Sequence, residues 1–140
     1  MMEHQINIIE TIRRINMKTI KDVYEFNEKI IGTIQPNKPQ VLNKERLLFA
    51  LTALYEELGE FTTANHNNDV GEALDAMIDL IYFAYGRCYE MGITIEQFEK
   101  CWNIVQQKNM QKKKGVKNRG TSIDAAKPEG WTSADLNEVL

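Results

Sequence analysis

The sequence predicts an all-α protein, an antiparallel bundle of four to five helices with an extended C-terminal tail, and three observations lead there. No run of strand length alternates apolar and polar residues with β-branched side chains. Apolar residues recur instead at steps of three and four over most of the chain. The sequence holds three prolines, and two of them, Pro36 and Pro39, fall together in one segment that reads as a loop.

The elements follow in order. A first, weak helix is expected over His4–Asn16. A second begins after Thr19, a capping residue, runs through Val23, Phe26 and Ile30, and stops at Gly32. Thr33 to Asn43 is a loop. A long helix then covers about Lys44 to Ala64 and ends in the polar run Asn65-His66-Asn67-Asn68. Asp69 caps the next, about Val70 to Met91, which Gly92 ends. Thr94 caps the last, which reaches roughly Lys113 and stops at Gly115. The short Asn-rich link makes the two central helices antiparallel neighbours. The remainder is Gly- and Lys-rich, with a final turn expected over Ala134–Leu140.

A chain of 140 residues fits one domain, here 1–140, with 1–18 as an N-terminal extension and 115–140 as the tail. Its 43% hydrophobic and 26% charged residues are those of an ordinary globular protein. A formal net charge of −3 argues against an electrostatically driven nucleic-acid binder. Two cysteines, Cys88 and Cys101, are too few for a disulfide scaffold or a zinc cluster, and read as buried thiols. No stretch approaches the ~20 apolar residues of a membrane span. The first residues lack the apolar core of a signal peptide, so the expected location is cytoplasmic.

Charge is segregated along the chain. Glu56, Glu57, Glu60, Glu72, Asp75 and Asp79 occupy the middle, while Lys108, Lys112, Lys113, Lys114, Lys117 and Arg119 crowd the distal segment. On the long helix, Leu47, Leu51, Leu54, Leu58 and Phe61 form the expected core stripe. Glu57 falls roughly 60° around the helix from Leu54 at ~100° per residue, so it borders that stripe. The helix from Val70 is apolar on nearly every side and reads as buried, yet it carries Asp75 and Asp79 at i and i+4. An uncompensated buried carboxylate costs several kcal/mol and must be paired, protonated or metal-bound. Between Lys44 and Lys100 the only cationic side chains are Arg46 and Arg87, too few to neutralise the acids. A hard divalent cation gathering oxygen ligands from two facing helices would do so. Glu72, near a helix start, reads first as a favourable partner of the helix dipole. The stripe Phe98, Trp102, Val105 of the last helix continues to Asn109 and Lys112, which can reach a phosphate or a base. His4 and His66 show no metal-ligand spacing, and no phosphate-binding glycine loop or nucleophile elbow occurs.

These residues carry a resemblance. Glu56-Glu57-Leu-Gly-Glu60 matches the EExxE signature of the MazG-like all-α nucleoside triphosphate pyrophosphohydrolases. The family's second motif, ExxD before an apolar run, is matched by Asp79 and the run to Gly86. The Glu position is Ala76, and either Asp75 or Glu72 stands in for it. Val23-Tyr-Glu-Phe26, Asn109-Met-Gln-Lys112 and Lys127-Pro-Glu-Gly-Trp131 resemble the bacterial and phage subgroup related to dimeric dUTPases.

The resemblance implies Mg²⁺ (or Mn²⁺) on Glu57, Glu60, Asp75 and Asp79, and hydrolysis of a nucleoside triphosphate to monophosphate and pyrophosphate. Glu56 and Glu57 are the candidate catalytic residues, Glu56 holding a second metal or orienting the water. Asn109, Lys112, Lys127, Trp131 and Tyr82 form the candidate substrate-binding set. A homodimer or a dimer of dimers is expected. The tail should anchor through Trp131 and bring Lys117, Arg119 or Lys127 near the phosphates. The alternatives are a non-catalytic nucleotide- or metal-binding helical module and a structural interaction module.

Overall fold

The computed structural model describes residues 2, 7, 8, 10, 11, 17–116 and 123–140. Most of the helix expected over 4–16 lies outside this set, as do Lys117 and Arg119. Four helices are described in full: α1 (Lys18–Phe26), α2 (Lys44–His66), α3 (Val70–Glu90) and α4 (Ile95–Met110). Strands β1 (Lys113–Val116) and β2 (Ile123–Ala126) follow. The chain divides into two compact units, Met1–Ile93 and Thr94–Leu140.

In the first unit, helix ends fall where local chemistry places them. Asn43 Oδ1 accepts from the Arg46 amide at 2.8 Å, and Asp69 Oδ1 accepts from the Glu72 amide at 3.1 Å. Each satisfies a first-turn donor that has no partner within its helix. Thr19 does not act as a cap, because α1 starts two residues earlier, after Met17, without a side-chain cap. The end of α1 widens into a π-turn, Asn27–Ile31, which Gly32 terminates at φ 75°. Buried Asn27 donates from Nδ2 to the Val23 carbonyl at 2.9 Å. Gly86 makes room for that amide, since a Cβ there would lie 3.2 Å from Asn27 Nδ2.

The packing face of the central hairpin differs from the expected one. Buried Ala50, Ala53 and Ala64 share a stripe of α2 with Glu57 and Glu60, and buried Ala76 and Gly86 lie on α3. Small side chains let two backbones approach closely, so this stripe turns inward. The leucine stripe lies one residue, ~100°, further round. Leu47, Leu51 and Leu58 are therefore 48%, 44% and 45% exposed in the single chain, contrary to the core role read from their spacing. Helix α3 is likewise not buried all round: Leu74, Ile78 and Ile81 are exposed.

A strap over residues 33–40 closes the far end of the hairpin. Tyr89 Oη donates to the Thr33 carbonyl at 2.8 Å, and the Gln40 amide donates to the Met91 carbonyl at 2.8 Å. Tyr24 Oη and Gln35 Nε2 both donate to the Ile93 carbonyl, at 2.6 and 2.8 Å. Gly92, at φ 72°, allows the strap to pass, because a Cβ there would run into the Lys38 carbonyl oxygen.

In the second unit, Thr94 and Gln97 form a reciprocal capping box at the start of α4. Cys101 is buried on this helix, whereas Trp102 and Val105, expected on its inner face, are 55% and 37% exposed. The helix ends at Met110, short of Lys113, and Gly115 is not its stop. Strands β1 and β2 instead pair antiparallel, with Lys113 opposite Ala126 and Gly115 opposite Asp124. A Cβ at Gly115 would lie 2.8 Å from the Ala126 methyl, so glycine permits the strand to close. Lys-Lys-Gly-Val and Ile-Asp-Ala-Ala carry no alternation, and the pairing that makes them strands is not written in either segment.

Candidate metal and phosphate site

The acid cluster is assembled by helix periodicity. Glu57 and Glu60 sit one turn apart on α2, and Asp79 approaches from α3. One carboxylate oxygen from each lies within 4.8 Å of the others. Asp75 stands outside this trio, close enough to raise the pKa of both Glu57 and Asp79 by charge repulsion. Ala76, where the family signature has glutamate, is 1% exposed and fills the helix contact with a methyl group. Glu56 and Glu72 lie apart from the trio, on the walls of a cavity of about 680 Å³ that also takes in Glu60, Thr63 and Asn67.

The cluster holds negative charge that no described side chain neutralises. Glu57 Oε2 is buried without a hydrogen-bond partner. Desolvation first, then its hydrogen bond to Glu60 and the charges of Glu60, Asp79 and Asp75, push the Glu57 carboxyl up to about 7. Asp79 is raised by desolvation and by the charges of Asp75 and Glu60. Arg46 and Arg87, the two cations available in sequence, are both ion-paired to Glu90 instead. Three converging carboxylates and an orphaned buried oxygen suit a hard divalent ion with oxygen ligands.

The sign of the Glu57 shift sets a pH dependence. An acid whose pKa rises on folding favours the protonated fold, so the metal-free protein should lose stability as pH rises from 4.5 through about 7. Metal binding through Glu57 would displace that proton, and the half-saturating Mg²⁺ concentration should then fall about tenfold between pH ~6 and pH ~8. Calorimetric titration of Mg²⁺ at both pH values measures this. An affinity independent of pH would remove Glu57 from the ligand set.

Tyr82, one turn beyond Asp79, packs edge-on against Phe26 of α1 with centroids 5.4 Å apart. The other candidate substrate residues come together in the second unit. Trp131 Nε1 donates to the Lys108 carbonyl at 2.9 Å, which ties the tail to the last turn of α4. The ammonium groups of Lys112 and Lys127 lie 5.0 and 4.8 Å from the Trp131 ring centroid. Asn109 Oδ1 accepts from Lys112 Nζ at 2.8 Å. The spacing of Asn109 and Lys112 indicated two of these groups; the clamp on the indole needed the folded tail.

A converging acid trio on a helical hairpin is the setting in which a family match becomes informative. The family model for phosphoribosyl-ATP pyrophosphohydrolase matches residues 23–109. The chain belongs to the phosphoribosyl-ATP pyrophosphohydrolase family. That family is part of the MazG-like all-α nucleoside triphosphate pyrophosphohydrolases, so the resemblance read from the motifs holds. A search of curated proteins found no match. The matched segment contains the strap and the whole acid cluster and ends at Asn109, so Lys112, Lys127 and Trp131 lie beyond it. Among the described residues, no helix is long and apolar enough to cross a membrane.

Proposed function

We propose that the chain hydrolyses a nucleoside triphosphate to the monophosphate and pyrophosphate in a Mg²⁺-dependent reaction. The observation that carries this reading is the convergence of the Glu57, Glu60 and Asp79 carboxylates, with Glu57 Oε2 buried and unpartnered, on a hairpin whose two arginines are committed to Glu90. Glu57, Glu60 and Asp79 hold the ion, with Asp75 as the fourth carboxylate. A bound divalent ion neutralises phosphate charge and lowers the pKa of its water. Glu56, on the cavity wall beside Glu60, orients the attacking water or accepts its proton, or holds a second ion. In the second unit Asn109, Lys112 and Lys127 are the candidate phosphate-binding groups, the two ammonium groups held at the Trp131 ring, and Tyr82 of the first unit is a candidate substrate contact.

Pyrophosphate release across a panel of nucleoside triphosphates, with and without Mg²⁺, tests the proposal. The panel includes dUTP, dCTP and phosphoribosyl-ATP, the compound in the family's name. Release of pyrophosphate from any of them only with Mg²⁺ is the expected result. Nucleotide binding without turnover would favour the non-catalytic module.

The exposed leucine and isoleucine stripes of α2 and α3 support a homodimer, or a pair of dimers, built on the central hairpin. Contiguous apolar surface of this kind is unusual on a monomer. Light scattering at micromolar concentration should give at least twice the 16.2 kDa chain mass. A monomer would refute the assembly and leave the hydrolysis proposal standing.

A further inference from the structure

A second group of charged side chains occupies the opposite end of the hairpin. Arg46 precedes Glu57 by eleven residues and Glu90 follows Asp79 by eleven. Each pair therefore shares a helix face to within ~20° and is separated by ~16 Å along the axis, too far for one metal site. Glu90 is 8% exposed. Its Oε1 accepts from both Nε and Nη2 of Arg46, and its Oε2 lies 3.2 Å from Arg87 Nε. Both guanidinium groups lie over the Phe49 ring, at 4.3 and 5.2 Å from its centroid. Two guanidinium groups against one carboxylate leave a positive charge in excess.

Arg46 and Glu90 of this group line a cavity of about 390 Å³. Its lining includes the polar side chains of Gln40, Asn43 and Arg46 and the apolar ones of Ile31, Ile34 and Leu42. Arg46 Nη1 donates to none of the described residues, and the side chain is 38% exposed. Asn43 spends its Oδ1 on the Arg46 amide, which leaves its Nδ2 as a donor. The first amides of α2 add donors without intrahelical acceptors and the positive end of the helix dipole. The one acidic group on the wall, Glu90, is neutralised from two sides. The strap is tied to residues 89–93 by the bonds of Thr33, Gln35 and Gln40, so the cavity exists before any ligand arrives. Its volume is within the range of small-molecule sites.

We infer that this cavity binds a small oxyanion, a carboxylate or a phosphate monoester, carried on an apolar or planar body. The oxyanion meets the outer edge of Arg46, Asn43 Nδ2 and the α2 amides, and the body rests on Ile31, Ile34 and Leu42. Arg46 offers the planar donor pair that oxyanions accept. The site is independent of the acid cluster and of any hydrolysis there.

The test uses the full chain in EDTA, so that no metal-dependent binding contributes, with benzoate and phenyl phosphate as probes and sodium chloride as the ionic-strength control. Amide NMR shifts should move saturably at Gln40, Asn43, Lys44, Glu45 and Arg46 with at least one probe. The probe that binds separates carboxylate from phosphate as the preferred group. Asn43→Asp keeps an equally good helix cap while placing negative charge at the oxyanion, and should weaken binding at least ~10-fold with helicity unchanged. Arg46→Lys retains the charge opposite Glu90 but loses the planar donor edge, and should weaken it to a similar degree. No saturable shift at these residues up to about 10 mM of either probe, weaker than ~3 kcal/mol of binding, overturns the inference. Equal affinity in Asn43→Asp overturns it as well. Neither readout requires turnover, so failure of the proposed hydrolysis leaves this test intact.

Discussion

Asp79→Asn should reduce Mg²⁺-dependent pyrophosphate release by about three orders of magnitude, ~4 kcal/mol of transition-state stabilisation. Far-ultraviolet circular dichroism should be unchanged, since asparagine keeps the size and the helix. Asp79 is the α3 member of the trio with Glu57 and Glu60, so its loss leaves the ion to the two α2 carboxylates and the more distant Asp75. Activity above about a tenth of the parent would take Asp79 out of the metal site. Glu57→Gln should abolish turnover to the same degree and raise the metal-free melting temperature, because repulsion from Glu60, Asp75 and Asp79 is relieved. Asp75→Asn identifies the fourth carboxylate. A loss as large as that at Asp79 assigns Asp75, whereas unaltered Mg²⁺ dependence points to Glu72 on the neighbouring cavity wall.

Truncation after Lys114 should raise KM or lower kcat at least tenfold, about 1.4 kcal/mol. The deleted segment carries Lys127 and Trp131, and with Trp131 goes the indole that holds Lys112 and Lys127 about 5 Å from its ring. Those two ammonium groups and Asn109 are the proposed phosphate-binding groups of the second unit. Trp131→Ala should produce a large part of the same loss with the rest of the tail in place, and Trp131→Phe, which retains an aromatic face, should recover much of it. Normal turnover by the truncated chain would exclude the tail from the active site.

Caps at Asp69 and Thr94 and stops at Gly32 and Gly92 were legible because each depends on a side chain and backbone within four residues. Glu57 and Glu60 share a face through helical periodicity alone, and the short link at Asn65–Asn68 brings α3 back with Asp79. Thr19 failed as a cap because α1 begins at Lys18, before it.

Spacing could not say which stripe of α2 meets α3. The leucines and the alanines repeat with the same period, ~100° apart, and size at the point of closest approach favoured Ala50, Ala53 and Ala76. Nor could spacing foresee that Glu90, near a helix end, would take both arginines, or that β1 and β2 would pair. By itself the sequence determined the central helices, most of their ends, the pairing of Glu57 with Glu60 on one face and the family, all governed by interactions within a few turns of one helix or by one short link. Only the tertiary structure decided the face that packs, the destination of the arginines, the clamp on Trp131 and the cavity behind the strap. Those rest on contacts between residues tens of positions apart, whose partners no local pattern names.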